Sequence, residues 1–213
     1  MGIYERKQRE KAQRKIDIIN AARKIFSNKG FNSATMEEIA LEAELSPGTL
    51  YLYFKNKEEL HTSLSIEILK YLTDEIQKVV PQEISVEEKI DKFRDVFIDV
   101  YEYDSNILIN LFHLQSGEAL KNLSGDVLRQ IKIYSTMAHG AIIDVVKQGI
   151  EQGVFVDENP VALADILWAS YGGIVLWVDS KRRLDDQKDF VKPTIKIAFK
   201  IISKGLKKNI DTY

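Results

Sequence analysis

The chain has 213 residues, of which 45% are hydrophobic and 29% are charged, and its formal net charge at pH 7 is −2. It contains no cysteine, which excludes disulfides, thiolate metal sites and thiol nucleophiles. Only 4 prolines and 11 glycines interrupt it, and its apolar residues recur at helical rather than alternating spacing. We therefore expect an all-α protein.

The N-terminal end of the chain is charged and lacks the apolar stretch of a secretory signal, so we expect a cytoplasmic protein. Residues 1–58 carry eleven lysines and arginines against eight acidic residues, whereas the remainder carries 19 against 24. This asymmetry fits a nucleic-acid-binding head on an acidic body, although solvated helix faces produce similar runs. Two interpretations are open for residues 5–15: a flexible arm that follows phosphates, or a helical extension with i,i+4 ion pairs.

The head is predicted to contain three helices. Apolar residues at helical spacing mark the first over residues 14–29, with a stop at Gly30 and a loop over residues 31–34. The next elements are a helix over residues 35–43, a turn at residues 44–45 and a helix over residues 46–54. Thr35 and Glu38 form a capping box, and Ser46 caps the third helix with a proline behind it. Helix, tight turn and helix predict a helix-turn-helix.

Residues 16–60 contain the run Ser-Pro-Gly-Thr-Leu-Tyr-Leu-Tyr-Phe-Lys-Asn-Lys-Glu-Glu-Leu and closely resemble the DNA-binding domain of the TetR (AcrR-like) family of transcriptional repressors. One departure is Glu44, which stands where the family usually has a glycine in the turn. The resemblance implies phosphate contacts from Thr35, Tyr53 and Lys57, and base reading from the start of the third helix. The full implied DNA-binding set is Thr35, Ser46, Pro47, Gly48, Thr49, Tyr51, Tyr53 and Lys57.

The chemistry of these side chains agrees with the implied roles. A helix N-terminus with the Thr35 hydroxyl favours an anion. Gly48 lets the backbone approach DNA closely, and Thr49 offers a hydroxyl and a methyl group to base edges. Tyr51 combines an apolar body with a polar tip. The alternative for Tyr51 and Tyr53 is that either ring packs on the head.

The body is predicted to be a helical bundle. Its expected helices cover about residues 57–80, 85–101, 106–115, 124–152, 160–178 and 190–204. Asn56 and Ser85 each precede a glutamate at capping-box spacing, and Gly153 reads as a C-terminal stop. We therefore expect a DNA-binding domain at residues 1–56 and an effector-binding and dimerisation domain at residues 57–213.

Residues 160–178 form the most apolar stretch, with Asp165 as their one formal charge. The length permits a transmembrane helix, but Asp165 and a glycine pair interrupt it. The favoured interpretation is a helix buried on two sides, against its own core and against a partner subunit. In the resembled family the last two helices form the dimer interface, which implies a homodimer through residues 160–180 and 190–204. Two heads on one dimer would read a palindromic operator.

By resemblance, the body encloses a cavity for a small-molecule effector, and its composition suggests a hydrophobic or amphipathic one. The candidates are aromatic or polar residues on otherwise apolar helices, and each has the alternative of being plain core. They are Phe97, Tyr101, Phe112, His113, Met137, Trp168 and Tyr171.

Enzyme chemistry finds little support in the sequence. The pair Glu58 and His61 has the spacing of half a di-iron motif, but no second copy follows. There is no glycine-rich phosphate loop and no nucleophile elbow, so we expect no cofactor, no metal and no catalytic site. The leading hypothesis is a ligand-responsive transcriptional repressor that acts as a homodimer. The alternatives are a helical small-molecule- or protein-binding module that no longer reads DNA, and a helical enzyme.

Overall fold

The computed structural model describes residues 2–116, 123, 125–184 and 189–208. Within these ranges the chain forms nine α-helices and no strand, so the predicted all-α fold is confirmed. The helices are α1 (Ile3–Ser33), α2 (Met36–Glu42), α3 (Pro47–Tyr51), α4 (Lys57–Val79), α5 (Val86–Tyr103), α6 (Ser105–Ser116), α7 (Gly125–Glu151), α8 (Pro160–Leu184) and α9 (Val191–Leu206).

The helices group into two compact units, Met1–Glu67 and Ile68–Tyr213, which we call unit 1 and unit 2. The division falls inside α4, whose first half contributes to the packing of unit 1 and whose second half contributes to unit 2. The functional boundary after residue 56 stays a prediction, because a division by packing does not say which residues touch DNA.

Helix α1 begins far earlier than the predicted residue 14. Residues 5–15 are helical, which decides between the two interpretations in favour of the extension. Arg6 Nε donates to Glu10 Oε1 at 2.8 Å, an i,i+4 ion pair of the expected kind.

Gly30 breaks α1 without ending it. Its φ of 75° and ψ of 161° lie outside the helical region, and glycine reaches them at low cost. The predicted loop over residues 31–34 is wrong for its first three residues, which are helical. Helical geometry resumes after Gly30. The Ala34 N–H donates to the Gly30 carbonyl at 3.3 Å, which is an i to i−4 bond of the kind found in an α-helix.

Helix α3 is shorter than predicted and ends at Tyr51 instead of residue 54. The Leu52 N–H donates to the Thr49 carbonyl at 3.2 Å, and the Tyr53 N–H donates to the Leu50 carbonyl at 2.9 Å. These i to i−3 bonds tighten the last turn into 3₁₀ geometry.

The helices of unit 2 follow the predicted order, and their boundaries lie within a few residues of those expected, apart from the end of α8. Ser85 Oγ accepts from the Glu88 N–H at 3.2 Å, which confirms the capping box before α5. Gly153 lies two residues beyond the end of α7 and has a φ of 71°, as expected of a C-terminal stop. Helix α8 continues to Leu184, beyond the predicted end at residue 178.

The loop between α7 and α8 is fixed at both sides. The N–H groups of Val154 and Phe155 both donate to the Gly149 carbonyl at 3.0 Å, and the Phe155 ring is buried against α7. On the other side, the Val156 N–H donates to the Leu206 carbonyl at 2.8 Å. The end of α9 is thereby joined to the end of α7.

By length and composition, one helical segment among the described residues, Pro160–Arg182, is apolar enough to cross a membrane. A core or interface helix satisfies the same test, so this observation is weak evidence for a membrane span.

Candidate nucleic-acid interface

The start of α2 is organised by a complete capping box. Thr35 Oγ1 accepts from the Glu38 N–H at 3.2 Å, and Glu38 Oε2 accepts from the Thr35 N–H at 3.1 Å. Lys29 Nζ donates to Glu38 Oε1 at 2.5 Å. The bond from Lys29 is the main cause that lowers the pKa of the Glu38 carboxyl, followed by the bond from the Thr35 backbone. Glu38 therefore stays ionised while it holds Thr35 at the exposed helix end.

Lys57 meets the same helix end from the first turn of α4. Its Nζ donates to the Ala34 carbonyl at 2.8 Å and to the Asn32 carbonyl at 3.3 Å, and it lies 4.6 Å from the centroid of the Phe31 ring. The structure thus places Lys57 beside Thr35. An ammonium has three N–H donors, so these two bonds leave one donor for a phosphate oxygen.

The turn between α2 and α3 holds the unusual Glu44. Its φ of 57° is left-handed, and no other non-glycine residue in the described ranges has a positive φ. The Leu45 N–H donates to the Ala40 carbonyl at 2.8 Å, which is the six-to-one bond of a Schellman ending. The turn therefore keeps the geometry that the motif requires, at a strain cost of about 1 kcal/mol for a side chain other than glycine.

Helix α3 is buried on one side and exposed to solvent on the other. Ser46 Oγ accepts from the Thr49 N–H at 3.2 Å, and Pro47 occupies the first turn as predicted. Leu50 is 0% exposed and Phe54 is 1% exposed, so both anchor the helix in unit 1. On the open side, Tyr51 is 46% exposed. Four other predicted DNA-binding residues are fully or partly exposed there, namely Ser46, Pro47, Gly48 and Thr49.

Residues 18–64 match the family model described as bacterial regulatory proteins, tetR family. The chain belongs to the TetR family. The resemblance predicted over residues 16–60 is therefore confirmed, and the chain is a helix-turn-helix transcriptional regulator.

This TetR-family chain has relatives among curated proteins. It is similar to the fatty acid metabolism regulator protein of Bacillus subtilis, with 24% identity over 147 residues that cover 68% of this chain and 75% of that protein. It is also similar to the transcriptional regulator UidR of Escherichia coli, with 40% identity over 65 residues that cover 30% of this chain and 33% of that protein. The second likeness thus covers a third of that relative's length.

Among solved structures, the TetR-family fold of this chain is similar to the regulator FadR of Bacillus subtilis in complex with stearoyl-CoA. The TM-score is 0.68 at 18% identity, and the match covers 90% of this chain and 98% of the other. At this identity the likeness concerns the fold alone.

Four of the seven predicted effector residues of this TetR-family chain pack together in unit 2 with Phe199, which was not predicted. We call these five side chains the aromatic cluster: Phe97, Phe112, Trp168, Tyr171 and Phe199. The Phe97 and Tyr171 rings stack with centroids 4.2 Å apart at an interplanar angle of 3°. In contrast, His113 and Met137 are exposed and are not part of this cluster.

The two tyrosine hydroxyls near the aromatic cluster are already hydrogen-bonded. Tyr171 Oη donates to the Phe97 carbonyl at 2.9 Å, and burial raises the pKa of this hydroxyl well above its ordinary value. Tyr101 Oη donates to Asp189 Oδ2 at 2.8 Å. Burial and then this bond raise the pKa of Tyr101 to about 12. Both side chains therefore act as neutral structural donors.

A groove of about 720 Å³ lies between α7 and α8, beside the aromatic cluster. Trp168 is the predicted effector residue that lines this α7–α8 groove. The sequence interpretation missed its other walls, which include Ile131, Lys132, His139 and Asp165. His139 Nε2 lies 2.9 Å from Asp165 Oδ1, a contact that becomes an ion pair when the imidazole is protonated. The four-residue spacing of Leu128, Lys132 and Thr136 along α7 is the signal that marks this face.

The described residues contain no cluster of three or more histidine and carboxylate side chains that could hold a metal ion. His61, half of the candidate Glu58 and His61 pair, packs against Phe26 and Phe31 with ring centroids 5.2 and 4.6 Å away. Its imidazole is part of the packing of unit 1.

Proposed function

We propose that the chain is a homodimeric transcriptional repressor that inserts α3 into the major groove of a palindromic operator and is released by a hydrophobic or amphipathic effector. The observation that carries this proposal is the two-sided character of α3. Leu50 and Phe54 fix one side in unit 1, and the other side exposes a proline, a glycine and a tyrosine where the backbone can reach base edges.

The proposed roles follow the positions of the side chains. Thr35 and Lys57 meet at the start of α2 and are assigned to one phosphate, with Tyr53 on a second. Thr49 and Tyr51 are assigned to base edges or thymine methyl groups, and Gly48 permits the close approach. Ser46 fixes the start of α3, and Pro47 presents its ring beside it.

The proposed dimer uses the apolar faces of α8 and α9. Large apolar side chains on both helices are exposed in the single chain: Ile166 (50%), Trp177 (64%), Ile197 (60%) and Ile201 (65%). A soluble chain rarely leaves such a surface uncovered, and a second copy would cover it with the same surface. The two copies of α3 would then read half-sites about one helical turn apart.

The effector is proposed to bind in unit 2 where the α7–α8 groove meets the aromatic cluster at Trp168. The cluster is closed by its own rings, so entry of a ligand requires these rings to move apart. We take a long-chain acyl-CoA as the probe, because the relative at 24% identity is named as a regulator of fatty acid metabolism. The setting of this regulation would be the cytoplasm.

Substituting Tyr51→Ala is expected to remove sequence preference while leaving weak binding to any duplex. The ring lies on the open side of α3, and one base-reading side chain contributes about 1–3 kcal/mol of discrimination. The measurement is a gel shift at fixed salt with a duplex selected from a random pool by the full-length protein, compared with a shuffled duplex. Equal binding of the wild type to both duplexes would contradict DNA reading and favour the alternative of a helical ligand-binding module.

Adding stearoyl-CoA to the complex with the selected duplex is expected to weaken binding at least tenfold, a coupling of about 1.4 kcal/mol. Such a coupling requires that the ligand prefer the form of the protein that does not bind DNA. Coenzyme A alone is the control, since it lacks the apolar chain. If neither compound changes affinity, the proposed effector class is wrong and the DNA-reading part of the proposal is unaffected.

A further inference from the structure

Four cations lie along one side of the first turns of α1, and we call them the basic stripe: Lys7, Lys11, Arg14 and Lys15. Their spacing of three and four residues places them on one helix face. The same spacing continues into Ile18 and Ala22, both 0% exposed. The basic stripe is therefore the outward continuation of the face by which α1 packs on unit 1.

The carboxylates on this helix have partners outside the basic stripe. Glu10 and Asp17 lie within three or four positions of Lys7 and Arg14, but Glu10 pairs with Arg6, and Asp17 accepts from Gln13 at 3.0 Å. Within the part of the chain that the structure describes, no carboxylate forms an ion pair with the basic stripe. Solvent ions therefore screen these cations, and a polyanion would release those ions on binding.

Lys15 locates the basic stripe relative to α3. Its Nζ lies 5.5 Å from the centroid of the Phe54 ring, the anchor that follows α3. The rest of the stripe continues from there toward the free end of α1. With a rise of 1.5 Å per residue, Lys7 and Lys15 are about 12 Å apart along the helix, which matches roughly three to four base-pair steps.

We propose that the basic stripe binds the sugar-phosphate backbone of duplex DNA beyond the segment that α3 reads, so that each subunit contacts a flanking stretch as well as its half-site. This inference rests on the proposed function. The partner is DNA because the stripe carries unpaired positive charge and adjoins the base-reading helix. Flexible lysine side chains suit a contact that follows phosphates without reading bases.

The test compares two double variants of equal charge. K7Q/K11Q removes two cations from the basic stripe, whereas R6Q/R9Q removes two cations from other faces of the same turns. Glutamine keeps a helix propensity close to that of lysine and arginine, so circular dichroism should show unchanged helicity. The probes are the selected duplex and the same duplex shortened by about four base pairs at each end.

We expect K7Q/K11Q to bind the full duplex roughly tenfold more weakly than R6Q/R9Q does at equal salt. The slope of log affinity against log salt should be shallower by about 0.9 for each phosphate that the variant no longer neutralises. On the shortened duplex, the two variants should bind alike. The wild type should bind the shortened duplex more weakly than the full duplex, and its affinity for the shortened duplex should depend less on salt concentration.

The outcomes separate this inference from the proposed function. If the wild type prefers the selected duplex but the two double variants bind it equally, the basic stripe does not touch DNA and the proposed function stands. An unchanged wild-type affinity on the shortened duplex leads to the same conclusion. If the wild type prefers no sequence at all, the proposed function fails and the inference falls with it.

Discussion

Replacing Ile197 and Ile201 with glutamate is expected to convert the proposed homodimer into monomers of 24.4 kDa. The two side chains are four residues apart on α9 and are 60% and 65% exposed in the single chain. Burying an isoleucine contributes about 1.5–3 kcal/mol, and a symmetric dimer would lose this contribution four times. Four carboxylates in an apolar interface add a desolvation cost of several kcal/mol each.

Sedimentation equilibrium or light scattering during gel filtration measures the mass directly. The matched control is I133E/M137E on α7, where the two residues are also four apart and are 47% and 39% exposed. The control should remain dimeric and fold normally. A dimeric I197E/I201E variant would show that this face of α9 is not the interface. If both variants were monomeric, the loss of the dimer would be due to the added negative charge and not to the position of the substitutions.

Dissociation of the dimer is also expected to weaken operator binding far more than the removal of one base-reading side chain does. In the proposed complex one copy of α3 would read only a few base pairs, and linking two copies would raise the effective concentration of the second head. The monomeric variant should therefore bind the selected palindrome no better than it binds a single half-site. Comparing the two duplexes in the same gel shift measures this effect.

Substituting Gly149→Ala is expected to destabilise unit 2 strongly. A Cβ at this position would lie 2.1 Å from Phe155 Cδ2 and 2.4 Å from Cε2, far inside van der Waals contact. The Phe155 side chain is 2% exposed, and the Phe155 N–H donates to the Gly149 carbonyl at 3.0 Å, which holds the two residues together. Overpacking of this kind costs about 1–3 kcal/mol or more. The melting temperature should fall by about 2–4 °C for each kcal/mol.

The same helix supplies the control, Gly140→Ala. Nothing lies within 4 Å of a Cβ at Gly140, so the substitution only replaces a poor helix former with a good one. It should stabilise the protein by up to about 1 kcal/mol. The two substitutions therefore have opposite expected signs in thermal unfolding. A rise in melting temperature for both would show that Phe155 moves aside at little cost.

Local signals predicted the helix caps of unit 1 well, because the atoms that form a cap are neighbours in sequence. The capping box of Thr35 and Glu38 and the cap at Ser46 need only residues three positions apart. Even the positive φ at Glu44 follows from its place in the motif. The end of α3 was harder to predict. No residue type in the sequence indicates whether the Leu52 N–H forms a hydrogen bond to residue i−3 or to residue i−4.

The effector residues depend on contacts that sequence spacing does not contain. Phe97 and Tyr171 stack although they come from α5 and α8, and the same apolar helical positions would suit a cavity wall equally well. Whether aromatic rings fill a space or line it depends on how far apart the helices lie. The α7–α8 groove escaped prediction for a related reason, since Lys132 on α7 and Asp165 on α8 come to line one groove only when both helices are in place.

The bond from Lys57 to the Ala34 carbonyl has a consequence for how a signal would reach DNA. Lys57 is the first residue of α4, and Ala34 is the last residue before the cap of α2. A displacement of α4 would therefore disturb the proposed phosphate contact at Thr35 before it tilted the proposed base-reading surface of α3. We expect an effector to weaken DNA binding by a similar factor on strong and weak operators. The affinity for every operator would then fall, while the order of affinities among operators would stay the same.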